Sequence, residues 1–65
     1  MKRKEIKNLA KKIAEQELII QNPQSSLDER GRAECEIERL SSKIESFDDM
    51  DLLDDLIQEF LRKNS

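Results

Sequence analysis

The side chains that most often carry out chemistry in proteins are scarce in this chain. Cys35 is the only cysteine, Gly31 is the only glycine and there is no histidine. A cysteine or serine nucleophile needs a neighbouring base, a role that the missing histidine would fill. Zinc sites are assembled from several cysteines and histidines, and phosphate-binding loops need several glycines. We therefore predict a protein that is not an enzyme, with no catalytic residue, no metal site and no cofactor.

Carboxylates cluster towards the C-terminal end, where a calcium site is the chemistry to consider. An EF-hand loop needs oxygen ligands at alternate positions and a glycine at the sixth. Counting from Asp48 to Glu59 as a twelve-residue loop, the third and fifth positions are Met50 and Leu52, and the sixth is Leu53. This spacing excludes an EF-hand. We interpret the acidic residues as the solvated face of a helix.

Positive charge is concentrated at the other end of the chain. Residues 1–22 carry six cations and three anions, a net charge of +3, whereas residues 46–65 carry two cations and six anions, a net charge of −4. In a bundle whose first and third helices begin at the same end, these cations would lie beside the aspartates at 48–55. The cations of the first segment are Lys2, Arg3, Lys4, Lys7, Lys11 and Lys12.

This basic stretch makes nucleic-acid binding the alternative function, because lysine and arginine side chains on one helix can contact phosphates. Two properties of the whole chain argue against it. The net charge is −3, and there is no tryptophan or tyrosine to stack on bases. We therefore prefer a protein partner to a nucleic acid.

Helix is the expected structure along the whole chain, because good helix formers dominate and only one glycine and one proline interrupt them. Asn22 and Pro23 should end the first helix, since the residue before a proline is pushed out of the helical region. Ser26 with Glu29 three residues later is a capping-box pattern, which predicts the start of a second helix. Ser46 precedes an acidic stretch and predicts the start of a third.

These boundaries predict an all-α protein: an antiparallel helical hairpin plus a third helix, forming a small three-helix bundle that associates with itself. We treat residues 1–65 as a single domain, and we expect the helices at about 2–21, 27–45 and 47–63. The alternative is a two-helix hairpin in which residues 27–63 form one long second helix, with a local change of phase near Met50.

The apolar faces of the second and third predicted helices differ in width. The second has a narrow seam of about 80°, which one neighbouring helix can cover. Its members are Ala33, Ile37, Leu40, Ile44 and Phe47. The third spreads its apolar side chains over about 180°. They are Met50, Leu52, Leu53, Leu56, Ile57, Phe60 and Leu61. One neighbour cannot cover so wide a face, so we expect the third helix to pack against both preceding helices, against a second copy, or both.

A chain of this size buries only about 60% of its unfolded surface, so small domains usually need a disulfide, a metal or a partner chain. One cysteine and no histidine leave neither an internal disulfide nor a zinc site, so association with a partner chain is the remaining source of stability. We therefore expect a protein–protein interaction or regulatory module, such as a homodimer, that acts through an apolar helix face. The residues expected to carry this interaction are Leu18, Ile19, Leu52, Leu56 and Leu61.

The expected compartment is a reducing cytoplasm. A lone cysteine and the lack of a cleavable apolar leader both favour it over secretion. The longest apolar run is the three residues from Leu18 to Ile20, far below the roughly 18 residues that a membrane-spanning helix needs.

Overall fold

A computed structural model describes residues 2–63, which form three α-helices. Helix α1 runs over Arg3–Gln21, α2 over Leu27–Ser41 and α3 over Phe47–Lys63. The chain is therefore all-α, and its helices pack as a small three-helix bundle, as the sequence predicts. The alternative of one long helix over residues 27–63 is wrong, because residues 42–46 separate α2 from α3.

The first connection forms where the sequence places it. The backbone at Asn22 leaves the helical region, with φ −74° and ψ 120°, and its side-chain oxygen accepts a hydrogen bond of 3.0 Å from the N–H of Gln24. At the start of α2 the Ser26 hydroxyl accepts from the Glu29 N–H at 3.2 Å, and the Ser26 N–H donates to the Glu29 carboxylate at 3.3 Å. The predicted capping box is confirmed.

The second helix ends at Ser41, four residues before the predicted boundary at 45. The Lys43 N–H donates to the Leu40 carbonyl at 3.3 Å and the Ile44 N–H donates to the Ser41 carbonyl at 3.1 Å, a tighter i→i−3 pattern than that of an α-helix. The Ser42 hydroxyl adds a 2.7 Å bond back to the Arg39 carbonyl. Ile44 therefore stays buried although it no longer belongs to the helix.

The prediction that Phe47 is a core residue is wrong, since it is 90% exposed. The apolar seam of α2 ends where α2 ends, at Ser41. Phe47 is the first residue of α3, so its position relative to the core is set by α3 and not by the periodicity of α2. The remaining members of the seam behave as predicted: Ile37 is half-buried, and the buried members are Ala33, Leu40 and Ile44.

The three helices share one hydrophobic core, with α1 in the middle. Helices α2 and α3 each pack against α1, and their backbones do not approach each other within residues 2–63. The molecule is accordingly flat, with extents of 34 × 24 × 15 Å. Of the neighbours expected for α3, only α1 contacts its backbone within residues 2–63, and the expected contact with a second copy stays a prediction. The core consists of Ile6, Leu9, Ala10, Ile13, Leu40, Ile44, Leu53 and Ile57.

Candidate protein-interaction surface

The apolar face of α3 is only partly covered. Leu53 and Ile57 point into the core and are 1% and 9% exposed. The other apolar side chains of this helix pack against the edge of the core and remain half-buried: Met50, Leu52, Leu56, Phe60 and Leu61. The cause is the flat arrangement of the helices. The apolar face of α3 spans about 180°, and α1 is the only helix within residues 2–63 that packs against it.

A groove lies between the N-terminal half of α1 and the C-terminal half of α3. Its volume is about 300 Å³. We call it the α1–α3 groove, and its lining residues are Arg3, Lys7, Leu56, Glu59, Phe60 and Lys63. Leu56 and Phe60 supply the apolar part, and the charged side chains supply the rim. Lys63 and Glu59 form an ion pair of 3.5 Å, whereas Arg3 and Lys7 form no ion pair with any residue from 2 to 63. The rim therefore presents excess positive charge.

A second depression of about 180 Å³ adjoins this groove further along α1. It is lined by Lys11, Ala14, Glu15, Leu18 and Phe60. Because Phe60 lines both concavities, they form one surface that follows α1 along its α3 side. This surface combines half-buried apolar side chains with exposed lysines, a composition suited to holding an amphipathic segment.

The five residues predicted to bind a partner are all half-buried, but they do not form one patch. Leu56 lies in the α1–α3 groove and Leu18 in the adjoining depression. Leu52 and Leu61 pack against the edge of the core. Leu61 is five residues beyond Leu56, which places it about 140° further around the helix. Ile19 is half-buried near the end of α1 and lines neither concavity.

The six cations proposed for the nucleic-acid alternative are all exposed, and four of them line depressions on two different sides of α1. Arg3, Lys7 and Lys11 lie on the side of α3. Lys12 lies on the side of α2, where it lines a depression with Lys43. Arg3 and Lys7 adjoin the C-terminal half of α3 rather than the aspartates near its start. Leu56 from the predicted interaction residues thus meets Arg3 and Lys7 from the predicted phosphate-binding residues in one groove.

The exposed aromatic at the start of α3 is the main surface feature that sequence reasoning missed. Phe47 and Leu27 are large apolar residues at the first positions of their helices, and they are 90% and 84% exposed. The sequence contained a signal for the exposure of Phe47. Ser46 predicts the start of a new helix, and a new helix does not continue the apolar seam of the helix before it.

The remaining candidates for chemistry lie apart from this surface. Cys35 is an exposed free thiol on α2. Residues 2–63 contain no cluster of three histidine, cysteine or carboxylate side chains that could hold a metal ion. Within the same residues, no helix has the length and apolar character needed to cross a bilayer.

No protein-family model, curated protein sequence or solved structure matches this chain. The surface formed by α1 and α3 is therefore interpreted from its own residues.

Proposed function

We propose that this chain is a small, non-enzymatic protein–protein interaction module that acts through the α3 side of the bundle. The observation that carries this proposal is the incomplete covering of α3. Five of its apolar side chains stay half-buried against a single neighbour, and Leu56 and Phe60 open into a groove. A partner helix laid along this groove would remove them from water.

The energetics favour a partner. Burial of apolar surface contributes about 25 cal/mol per Å², and a standard interface buries about 1,200–2,000 Å² in total. A chain of 65 residues has a free energy of unfolding of roughly 3–10 kcal/mol by the usual scaling per residue. A partner that binds only the folded chain would therefore add to its stability by mass action, and the midpoint of unfolding would rise with partner concentration.

The proposed mode of action is binding alone, without a cofactor. It is supported by the exposure of most carboxylates in residues 2–63, because a catalytic acid or base is normally tuned by desolvation. We place the protein in the cytoplasm, since Cys35 is the only cysteine and is exposed, and proteins without disulfides are usual in a reducing compartment.

The proposal is tested with the immobilised chain as bait in an extract of its source cells. Leu56→Asp places a charge in the apolar part of the groove, and Lys7→Glu reverses a charge on its exposed rim. Gln58→Asp is the matched control on an exposed position of α3. We expect proteins retained by the wild type and by the control to be lost from both groove variants.

Circular dichroism melts establish that each bait is folded. Lys7→Glu changes only an exposed side chain, so it keeps the test valid even where Leu56→Asp unfolds the chain. Recovery of the same proteins by all four baits, including the wild type, would refute the proposed function.

A second candidate is nucleic-acid binding, supported by the exposure of all six cations in and just before α1, which leaves them accessible to phosphates. A fluorescent DNA or RNA 20-mer titrated with the chain at low salt tests it. Phosphate binding predicts that the logarithm of the binding constant falls linearly with the logarithm of salt concentration, and that Lys4→Glu and Lys12→Glu weaken binding. Absence of binding at low salt rules this candidate out.

A further inference from the structure

The start of α3 combines an exposed aromatic ring with negative charge. Phe47 is 90% exposed, and its neighbours Asp48 and Asp51 are exposed as well. Asp51 is one turn beyond Phe47, so the two side chains share a face of the helix. We call Phe47, Asp48 and Asp51 the Phe47 tip. A large aromatic side chain gains most from burial among apolar side chains, and two carboxylates beside it favour a site with a basic rim.

The α1–α3 groove has the complementary composition. Leu56 and Phe60 offer half-buried apolar surface, and Arg3 and Lys7 offer cations that form no ion pair with the described residues. The same chain therefore carries an acidic aromatic tip and a basic apolar groove. The same separation of charge is present along the sequence. The net charge is +3 over residues 1–22 and −4 over residues 46–65.

A molecule cannot place its own tip in its own groove. Phe47 and Leu56 are nine residues apart on one continuous helix. At about 100° and 1.5 Å per residue, they lie on opposite sides of α3 and about 14 Å apart along its axis. The tip of one molecule is therefore available only to the groove of another.

We propose that the chain associates head to tail, with the Phe47 tip of one copy bound in the α1–α3 groove of a second copy. This inference rests on the proposed function, because it names the occupant of the same groove. The two halves of the contact are different surfaces, so the association is heterologous and extends into rings or open chains with rising concentration. Salt weakens it, because Arg3 and Lys7 face Asp48 and Asp51 across the contact.

The first test is sedimentation velocity of the full chain over a concentration series at low and high salt. We expect the average mass to rise with concentration, and less steeply at high salt. Phe47→Ser removes the aromatic ring of the tip, and Leu27→Ser is its matched control, since Leu27 is 84% exposed and also begins a helix. Phe47→Ser should weaken association by about tenfold or more, as expected for a central aromatic anchor, whereas Leu27→Ser should not weaken it.

The second test uses a mixture. The double variant Arg3→Glu plus Lys7→Glu keeps the tip but reverses the groove rim, whereas Phe47→Ser keeps the groove but lacks the ring. At a concentration where the wild type associates, each should be mainly monomeric alone. Mixed in equal amounts, they should form a complex of two chains and no more, because one working contact remains between them. Lys12→Glu, an exposed cation on the other side of α1, is the control for charge reversal.

Three results would overturn head-to-tail association. They are a wild-type chain that stays monomeric at every concentration, an equal effect of Leu27→Ser and Phe47→Ser, and a mixture of the two impaired variants that does not associate. A monomeric wild type whose groove variants still lose captured proteins would assign the groove to another protein. That outcome would overturn this inference and leave the proposed function standing.

Discussion

Arg30 and Asn22 are joined across the first turn by a hydrogen bond of 3.1 Å, in which the Nη2 of Arg30 donates to the carbonyl oxygen of Asn22. Asn22 follows the last residue of α1, and Arg30 lies in the first turn of α2. The same carbonyl also accepts from the Ser25 N–H at 3.1 Å, so it has one donor within the turn and a charged donor from the next helix. The Arg30 bond therefore links the end of α1 to the start of α2 in addition to the capping box.

Replacement of Arg30 by alanine should lower the free energy of unfolding by about 1 kcal/mol, because the Asn22 carbonyl loses a charged donor. Arg32→Ala is the control, since Arg32 is exposed on the same helix and forms no ion pair with the described residues. Urea denaturation followed by circular dichroism measures both. Equal losses in the two variants would show that the bond does not stabilise the hairpin.

Ser26→Ala removes the acceptor for the Glu29 N–H and should cost about 1 kcal/mol. In a domain of this size the midpoint of thermal unfolding should fall by about 4–8 °C. Ser25→Ala provides the comparison, because it alters the neighbouring serine and leaves the capping box intact. An unchanged midpoint for Ser26→Ala would mean that α2 begins without help from its cap.

Gly31→Ala should stabilise the protein by about 0.5–1 kcal/mol. Gly31 lies inside α2 with no positive φ, and a Cβ built on it meets no atom within 4 Å. Alanine therefore fits the same backbone and reduces the freedom of the unfolded chain. Thermal melts at several concentrations measure the effect. A loss of stability that grows with concentration would indicate that this face of α2 is covered by another chain.

Leu53→Ala should be the most damaging single change in α3. Its side chain is 1% exposed, and large-to-alanine changes in a core cost about 2–5 kcal/mol. That loss is a large share of the total stability of so small a chain. Leu27→Ala, at a position 84% exposed, should change stability by less than about 0.5 kcal/mol. Comparable melts for the two variants would contradict the packing of α3 on α1.

Local signals predicted the helices and their starting points. The pairing of Ser26 with Glu29 and the break at Asn22 depend on hydrogen bonds within a few residues, so the sequence contains all of the information they need. The width of the α3 apolar face also follows from spacing alone. It indicated that one neighbouring helix could not cover the face. With α1 as the backbone neighbour of α3, Leu56 and Phe60 are half-buried, although Phe60 was expected in the core.

What the sequence did not predict depends on how the helices are placed in space. The end of α2 at Ser41 comes from a tight turn that folds Ile44 back onto the core, and periodicity alone cannot show such a turn. The meeting of Arg3 and Lys7 with Leu56 depends on which side of α1 receives α3. A charge count along the chain carries no information on that choice.

The central position of α1 has a consequence for the order in which the helices pack and separate. Helix α1 precedes both of its neighbours in the chain, so its two sides are covered in turn during synthesis, first by α2 through a short connection and then by α3. Because α2 and α3 each pack against α1 alone, either outer helix can separate from α1 while the other stays in place. Local opening is therefore expected to begin at an outer helix rather than at α1.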